Sequence, residues 1–148
     1  MRILVTGGYG LIGHNVIKRL QDLGHHTLII DTKTNYGLIP QAEIDYLMAE
    51  RAKKIRHHLY YNTDITNTDP VDYVFATTKP DVVIHMASFP RQKVVNANPQ
   101  WGADVMMRGL INLLEAAKAN GVRRFVYISS SMVYGDFTND VTEDAVCN

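Results

Sequence analysis

The 148-residue sequence has one cysteine and one tryptophan, and its 15 basic residues are matched by 15 acidic ones. With Cys147 alone, no disulfide can form within the chain and no cysteine cluster can hold a metal. A formal net charge of zero gives no field to draw in nucleic acid or an anionic membrane, so neither is expected as a partner. No apolar run reaches membrane-spanning length, and the N-terminus enters a strand-like run without a signal-peptide pattern, so a soluble, cytoplasmic protein is the expectation. The histidines, His14, His25, His26, His57, His58 and His85, make no paired ligand spacing with a carboxylate on one helical face, and no metal is expected.

What is present fits one domain over residues 1–148, with 46% hydrophobic and 20% charged residues, enough to bury a core. Apolar runs alternate with helical patterns. Strands are expected over Arg2 to Thr6, His26 to Ile30, His58 to Tyr61, Asp81 to His85 and Arg124 to Ser129, apolar on both faces as in a buried parallel sheet. A first helix carries Ile12, Val16, Leu20 and Leu23 on one side and stops at Gly24. A second is expected to start with Asp69 as cap and Pro70 in its first turn, and the longest runs from Asn98-Pro99 to Asn120-Gly121. The alternation points to a doubly wound α/β sheet. One segment is irregular: a loop from Thr32 to Pro40 and a helix from about Gln41 to Arg56 replace a short crossover. It either packs on the sheet edge or reaches over a ligand. Its basic run, Arg51 to His58, reads as a solvated helix face, because Ile44, Leu47, Met48, Ala52 and Ile55 recur through it at helical spacing.

The first strand leads into Thr6-Gly7-Gly8-Tyr9-Gly10-Leu11-Ile12-Gly13. Gly7 suits a tight turn, Gly10 close approach of backbone to a pyrophosphate, and Gly13 close helix packing, with the helix N-terminus facing the phosphates. Asp31 ends the second strand at about the distance where dinucleotide sites place a carboxylate on the adenosine ribose, which favours NAD over NADP; Lys33, two residues on, counts against that bias. The five strand ends read Thr6-Gly7-Gly8, Asp31, Asp64-Ile65, His85-Met86-Ala87-Ser88 and Ser129-Ser130-Ser131, all small or hydrogen-bonding after an apolar run. Asp64 with Ile65 suits an adenine amino group and an apolar wall beside it, and Ala87 is small enough for a nucleotide to lie against the strand.

These residues, with Asn112-Leu113-Leu114-Glu115-Ala116 and Ser129-Ser130-Ser131-Met132-Val133-Tyr134-Gly135, resemble the extended short-chain dehydrogenase/reductase family, particularly its NAD-dependent nucleotide-sugar epimerases and dehydratases. The resemblance implies a Rossmann fold and an NAD site at Gly7, Gly10, Leu11, Ile12, Gly13, Asp31, Asp64, Ile65, Met86, Ala87, Ser88 and Ser129. It also implies a nucleotide-sugar substrate whose reacting oxygen is held by Ser130, and a homodimer through the helix 98–120. That helix's apolar residues can equally pack on the sheet.

The family's general base, a tyrosine followed four positions on by lysine, is absent: none of the eight tyrosines has a lysine there. Tyr134 matches the tyrosine that is not the base. Met106 stands where relatives often carry a cofactor-contacting asparagine, and Pro90-Arg91-Gln92-Lys93 is a loop that either meets substrate phosphates or is solvated. The expectation is therefore the N-terminal NAD-binding portion of an epimerase or dehydratase, stopping before the Tyr-x-x-x-Lys element and the substrate region and inactive alone. The alternative is a non-catalytic dinucleotide-binding sensor or assembly module.

Overall fold

Apolar, β-branched runs form one five-stranded parallel sheet in the computed structural model, which describes residues 1–34, 36–37, 39–56, 58–89, 92–135 and 141–147. The strands are β1 (Arg2–Thr6), β2 (His26–Ile30), β3 (Leu59–Tyr61), β4 (Val82–His85) and β5 (Arg124–Tyr127), in spatial order β3-β2-β1-β4-β5. Val5 at the sheet centre pairs with Ile29 on one side and Ile84 on the other. The order reverses between β1 and β4, which opens a crevice at their carboxyl ends.

Alternation along the strands feeds two cores. Leu4, Leu28, Ile30 and Val83 pack against Val71, Val74 and Phe75 of α3 (Thr68–Thr78) and Leu113, Ala116 and Ala117 of α6 (Gly109–Ala119). Ile3, Val5 and Ile29 pack on the opposite face with Tyr9, Ile55 and Ile17 of α1 (Gly13–Asp22). Phe75, Leu4 and Ile17 are fully buried, and each contributes about 1.5–3 kcal/mol through burial.

Several boundaries differ from the sequence reading. The inserted helix α2 (Gln41–Lys53) ends before Ile55, because that residue turns under the sheet into the second core. The cap of α3 is the position Asn67; Asp69 lies inside the first turn, and no side chain caps the helix. A short helix α4 (Gln92–Ala97) occupies Gln92 and Lys93, where a loop was expected; Pro90, Arg91 and His57 fall outside the described residues. The long helix starts at Pro99 after Asn98 as expected, but it is interrupted: α5 (Pro99–Ala103) passes through a π turn (Asp104–Arg108) into α6. β5 stops at Tyr127, leaving Ser129 and Ser130 beyond the sheet. No described helix is long and apolar enough to cross a membrane.

Candidate nucleotide-binding site

The crevice is a cleft of about 460 Å³, within the range of small-molecule sites. Gly7, Gly10, Leu11, Asp31, Asp64, Ile65, Met86, Ala87 and Ser88 line it, so four of the five strand ends meet there. Ile12, Gly13, Ser129 and Ser130 are not among its lining residues.

Glycine is required in the turn for different reasons. Gly7 has φ +71°, and an added Cβ would stand 2.8 Å from the Ala87 amide nitrogen, so the first turn is pressed against the end of β4. At Gly13 a Cβ would lie 2.2 Å from the Gly7 carbonyl oxygen, so its smallness lets α1 close on the turn itself rather than on the sheet. At Gly10 the same construction meets only the Gly7 oxygen, at 3.0 Å, and otherwise open cleft; the room there is free for a ligand. No side chain caps α1; the His14 and Asn15 N–H groups go to the Gly10 and Ile12 carbonyls, while those of Leu11, Ile12 and Gly13 have no partner among the described residues and stay available to an anion.

Asp31 ties two loops together. Its Oδ2 accepts the Tyr9 N–H at 2.8 Å and its Oδ1 accepts the Lys33 N–H at 2.7 Å. Each oxygen keeps a further lone pair for a ligand hydroxyl. Asp64 has a similar division: Oδ1 accepts the N–H and the hydroxyl of Thr66 at 2.9 and 2.8 Å, and Oδ2 has no partner among the described residues. Ile65 is buried beside Gly109, where a Cβ would lie 2.6 Å from its side chain, and the Asn112 amide donates to its carbonyl at 2.9 Å.

Thr6 fastens β1 to the end of β4. Its hydroxyl oxygen accepts the N–H groups of Met86 and Ala87 at 3.2 and 3.1 Å and lies 2.6 Å from Nδ1 of buried His85. With its oxygen engaged as acceptor, the Thr6 hydrogen goes to Nδ1, which leaves the His85 proton on Nε2. Burial pushes the His85 pKa down to about 4, so the ring is neutral.

Residues outside the expected set complete the walls. Ile44, Met48 and Arg51 of α2 line the cleft while Met48 and Ala52 pack against the second core, so the insertion both packs on the sheet and reaches the cleft, and Arg51 is not on a solvated face. Their spacing, i, i+4 and i+7, was the signal, since it places Arg51 on the stripe of Ile44 and Met48. Tyr36, at φ 55°, stacks edge-on against buried Phe89 and against Trp101, with ring centres 4.5 and 5.1 Å away. Tyr36 and Trp101 both line the cleft. Met106 packs on the core and not in the cleft; Val105 beside it does line it.

The tyrosines around Asp31 are poor bases. Burial first and the Asp31 carboxylate second hold Tyr9 above the usual phenol range and push Tyr60 to about 12; Tyr36 is raised by burial, then by Asp64 and Asp31. A catalytic tyrosine needs the opposite shift. Ser130 is exposed, and its Oγ accepts the Met132 N–H at 3.2 Å, capping the 3-10 turn Ser131–Tyr134 while its own O–H remains free to donate.

A β3-β2-β1-β4-β5 parallel sheet with a glycine turn and an acidic second strand end at its crossover crevice defines a domain of the dinucleotide-binding class. Within that class the chain belongs to the NAD dependent epimerase/dehydratase family, whose sequence model matches residues 3–147. It is 33% identical over 147 residues to the UDP-glucose 4-epimerase of Bacillus subtilis, covering 97% of this chain and 41% of that protein. Among solved structures, the Stenotrophomonas maltophila UDP-glucose-4-epimerase with bound NAD and formylated UDP-arabinopyranose superposes with TM-score 0.80 at 28% identity, covering 100% of this chain and 43% of that one. The Thermus thermophilus UDP-glucose 4-epimerase in complex with NAD gives 0.79 at 25% identity, covering 100% and 44%. The chain thus spans less than half the length of these relatives.

Proposed function

We propose that this chain is the NAD-binding portion of a cytoplasmic nucleotide-sugar epimerase or dehydratase, and that the complete protein works on a UDP-sugar by transient hydride transfer. The observation that carries the reading is the convergence of the Gly7–Gly13 turn, Asp31, Asp64-Ile65 and Met86-Ala87-Ser88 on one cleft, in a fold shared with epimerases solved with NAD. The open space beside Gly10 and the uncapped start of α1 fit a pyrophosphate. In this reading Leu11, Ile12 and Gly13 offer backbone N–H groups, Asp31 accepts the ribose hydroxyls, Asp64 Oδ2 faces the adenine amino group against Ile65, and Ser88 and Ser129 border the nicotinamide end. NAD supplies a reversible hydride acceptor for a sugar carbon, and Ser130 hydrogen-bonds the oxygen on that carbon.

Exposed Met107, Ile111 and Leu114 form an i, i+4, i+7 stripe along the π turn and α6. That stripe supports a homodimer through the helix 98–120.

Calorimetric titration tests the reading. The chain should bind NAD, more tightly than NADP, and Gly10→Val should abolish binding while the circular dichroism spectrum and melting profile stay near wild type. Binding retained by Gly10→Val would show that the glycines only shape a turn.

A further inference from the structure

Two cations stand at the Asp31 corner of the cleft without a carboxylate partner among the described residues. Arg51 reaches in from α2 and spends one N–H, from Nη1 to the Tyr9 carbonyl oxygen at 2.7 Å. Lys33 holds its ammonium 4.3 Å from the ring centres of both Tyr9 and Tyr60. The pivot is Tyr9, whose N–H is bonded to Asp31 at 2.8 Å and whose carbonyl is bonded to Arg51. Carboxylate and guanidinium therefore flank a single residue of the glycine turn. A ribose whose hydroxyls reach Asp31 brings its 2′ position to this corner.

Asp31 alone would repel a phosphate on that position. With Lys33 and Arg51 counted, two positive charges face one negative charge, and the corner is cationic. Arg51 keeps most of its five donors unspent in a planar fork that matches two phosphate oxygens at once. We propose that Arg51, supported by Lys33, is the specificity-determining residue of the ribose corner: it admits a 2′-phosphate, so that NADP competes with NAD in spite of Asp31. The inference rests on the dinucleotide reading above and concerns the same site.

The test uses two probes that differ only at this corner, 5′-AMP and adenosine 2′,5′-bisphosphate, titrated calorimetrically at low salt. In the wild type the bisphosphate should bind within about tenfold of 5′-AMP, the loss expected from one charged contact offset by another. Arg51→Ala should weaken the bisphosphate by about tenfold or more relative to 5′-AMP, since a charge-assisted bidentate pair is lost. Arg51→Lys keeps the charge without the fork and should give an intermediate ratio. Asp31→Asn should shift the ratio toward the bisphosphate, and adding Arg51→Ala should cancel that gain. If Arg51 merely braces the turn, both probes weaken together and the ratio stays fixed, which overturns the proposal. Failure of the wild type to bind NAD, 5′-AMP and the bisphosphate alike would instead overturn the dinucleotide reading.

Discussion

His85 sits 2% exposed at the end of β4 with Nδ1 held by the Thr6 hydroxyl, and burial lowers its pKa from 6.5 to about 4. The unfolded chain therefore binds this proton more strongly than the folded one. Its contribution to stability is complete above about pH 6.5 and is lost as the pH falls from there towards 4, up to about 3 kcal/mol for the full shift. Urea midpoints should drop between pH 7.5 and pH 5 in the wild type and drop less in His85→Asn, whose amide oxygen can still accept from Thr6 without titrating. Parallel pH curves for the two proteins would remove His85 as the cause. Single residues were unevenly legible in the sequence. Asp31 and Asp64 could be read because strand ends dictate their place, whereas Arg51 was hidden by its charge. A basic residue on a basic run suggests solvent, yet its register with Ile44 and Met48 takes it to the cleft wall. Asn112 was visible only as part of a family pattern, since a donor to the Ile65 carbonyl 47 positions away leaves no local trace.

The strands were legible as elements because burial on both faces of a parallel sheet demands continuous apolar runs, whereas their order, β3-β2-β1-β4-β5, leaves no mark in any single run. Element ends were less so. The end of α2 at Lys53 depends on Ile55 finding a place among Ile3, Ile17 and Ile29, a contact between distant segments. The π turn at Asp104–Arg108 leaves the apolar pattern intact while changing the hydrogen-bond register, so periodicity alone reads one continuous helix. The same helix carries a test. If Met107, Ile111 and Leu114 meet a second copy, Ile111→Glu with Leu114→Glu should convert a dimer to monomer in sedimentation equilibrium without unfolding it, because both positions are solvent-exposed in the single chain. A wild-type chain that is monomeric at high micromolar concentration would remove the helix 98–120 as an interface of this chain.

At the scale of the whole molecule, the proposed function separates cofactor binding from proton transfer. No tyrosine is followed four positions on by lysine, and Tyr36 in the cleft and Tyr9 and Tyr60 in the core behind Asp31 are all shifted away from acting as bases. A missing general base costs a factor of about 10² to 10⁴ in rate. Groups that position a substrate can contribute more still. Ser130 cannot compensate, since it only donates or accepts a hydrogen bond, and its oxygen already receives the Met132 N–H. The 148-residue chain should therefore bind NAD and yet show no appreciable turnover of any UDP-, GDP- or dTDP-sugar, followed by sugar analysis and NADH absorbance. A protein extended through a downstream Tyr-x-x-x-Lys and a substrate region to the length of its relatives should be active. In that longer protein Ser130→Ala should lower kcat more than it weakens NAD binding, because in the proposed function the hydroxyl meets the reacting oxygen and not the cofactor's adenosine end. Robust turnover by the short chain would require a base among the residues it already has, and the separation of binding from proton transfer drawn here would fail.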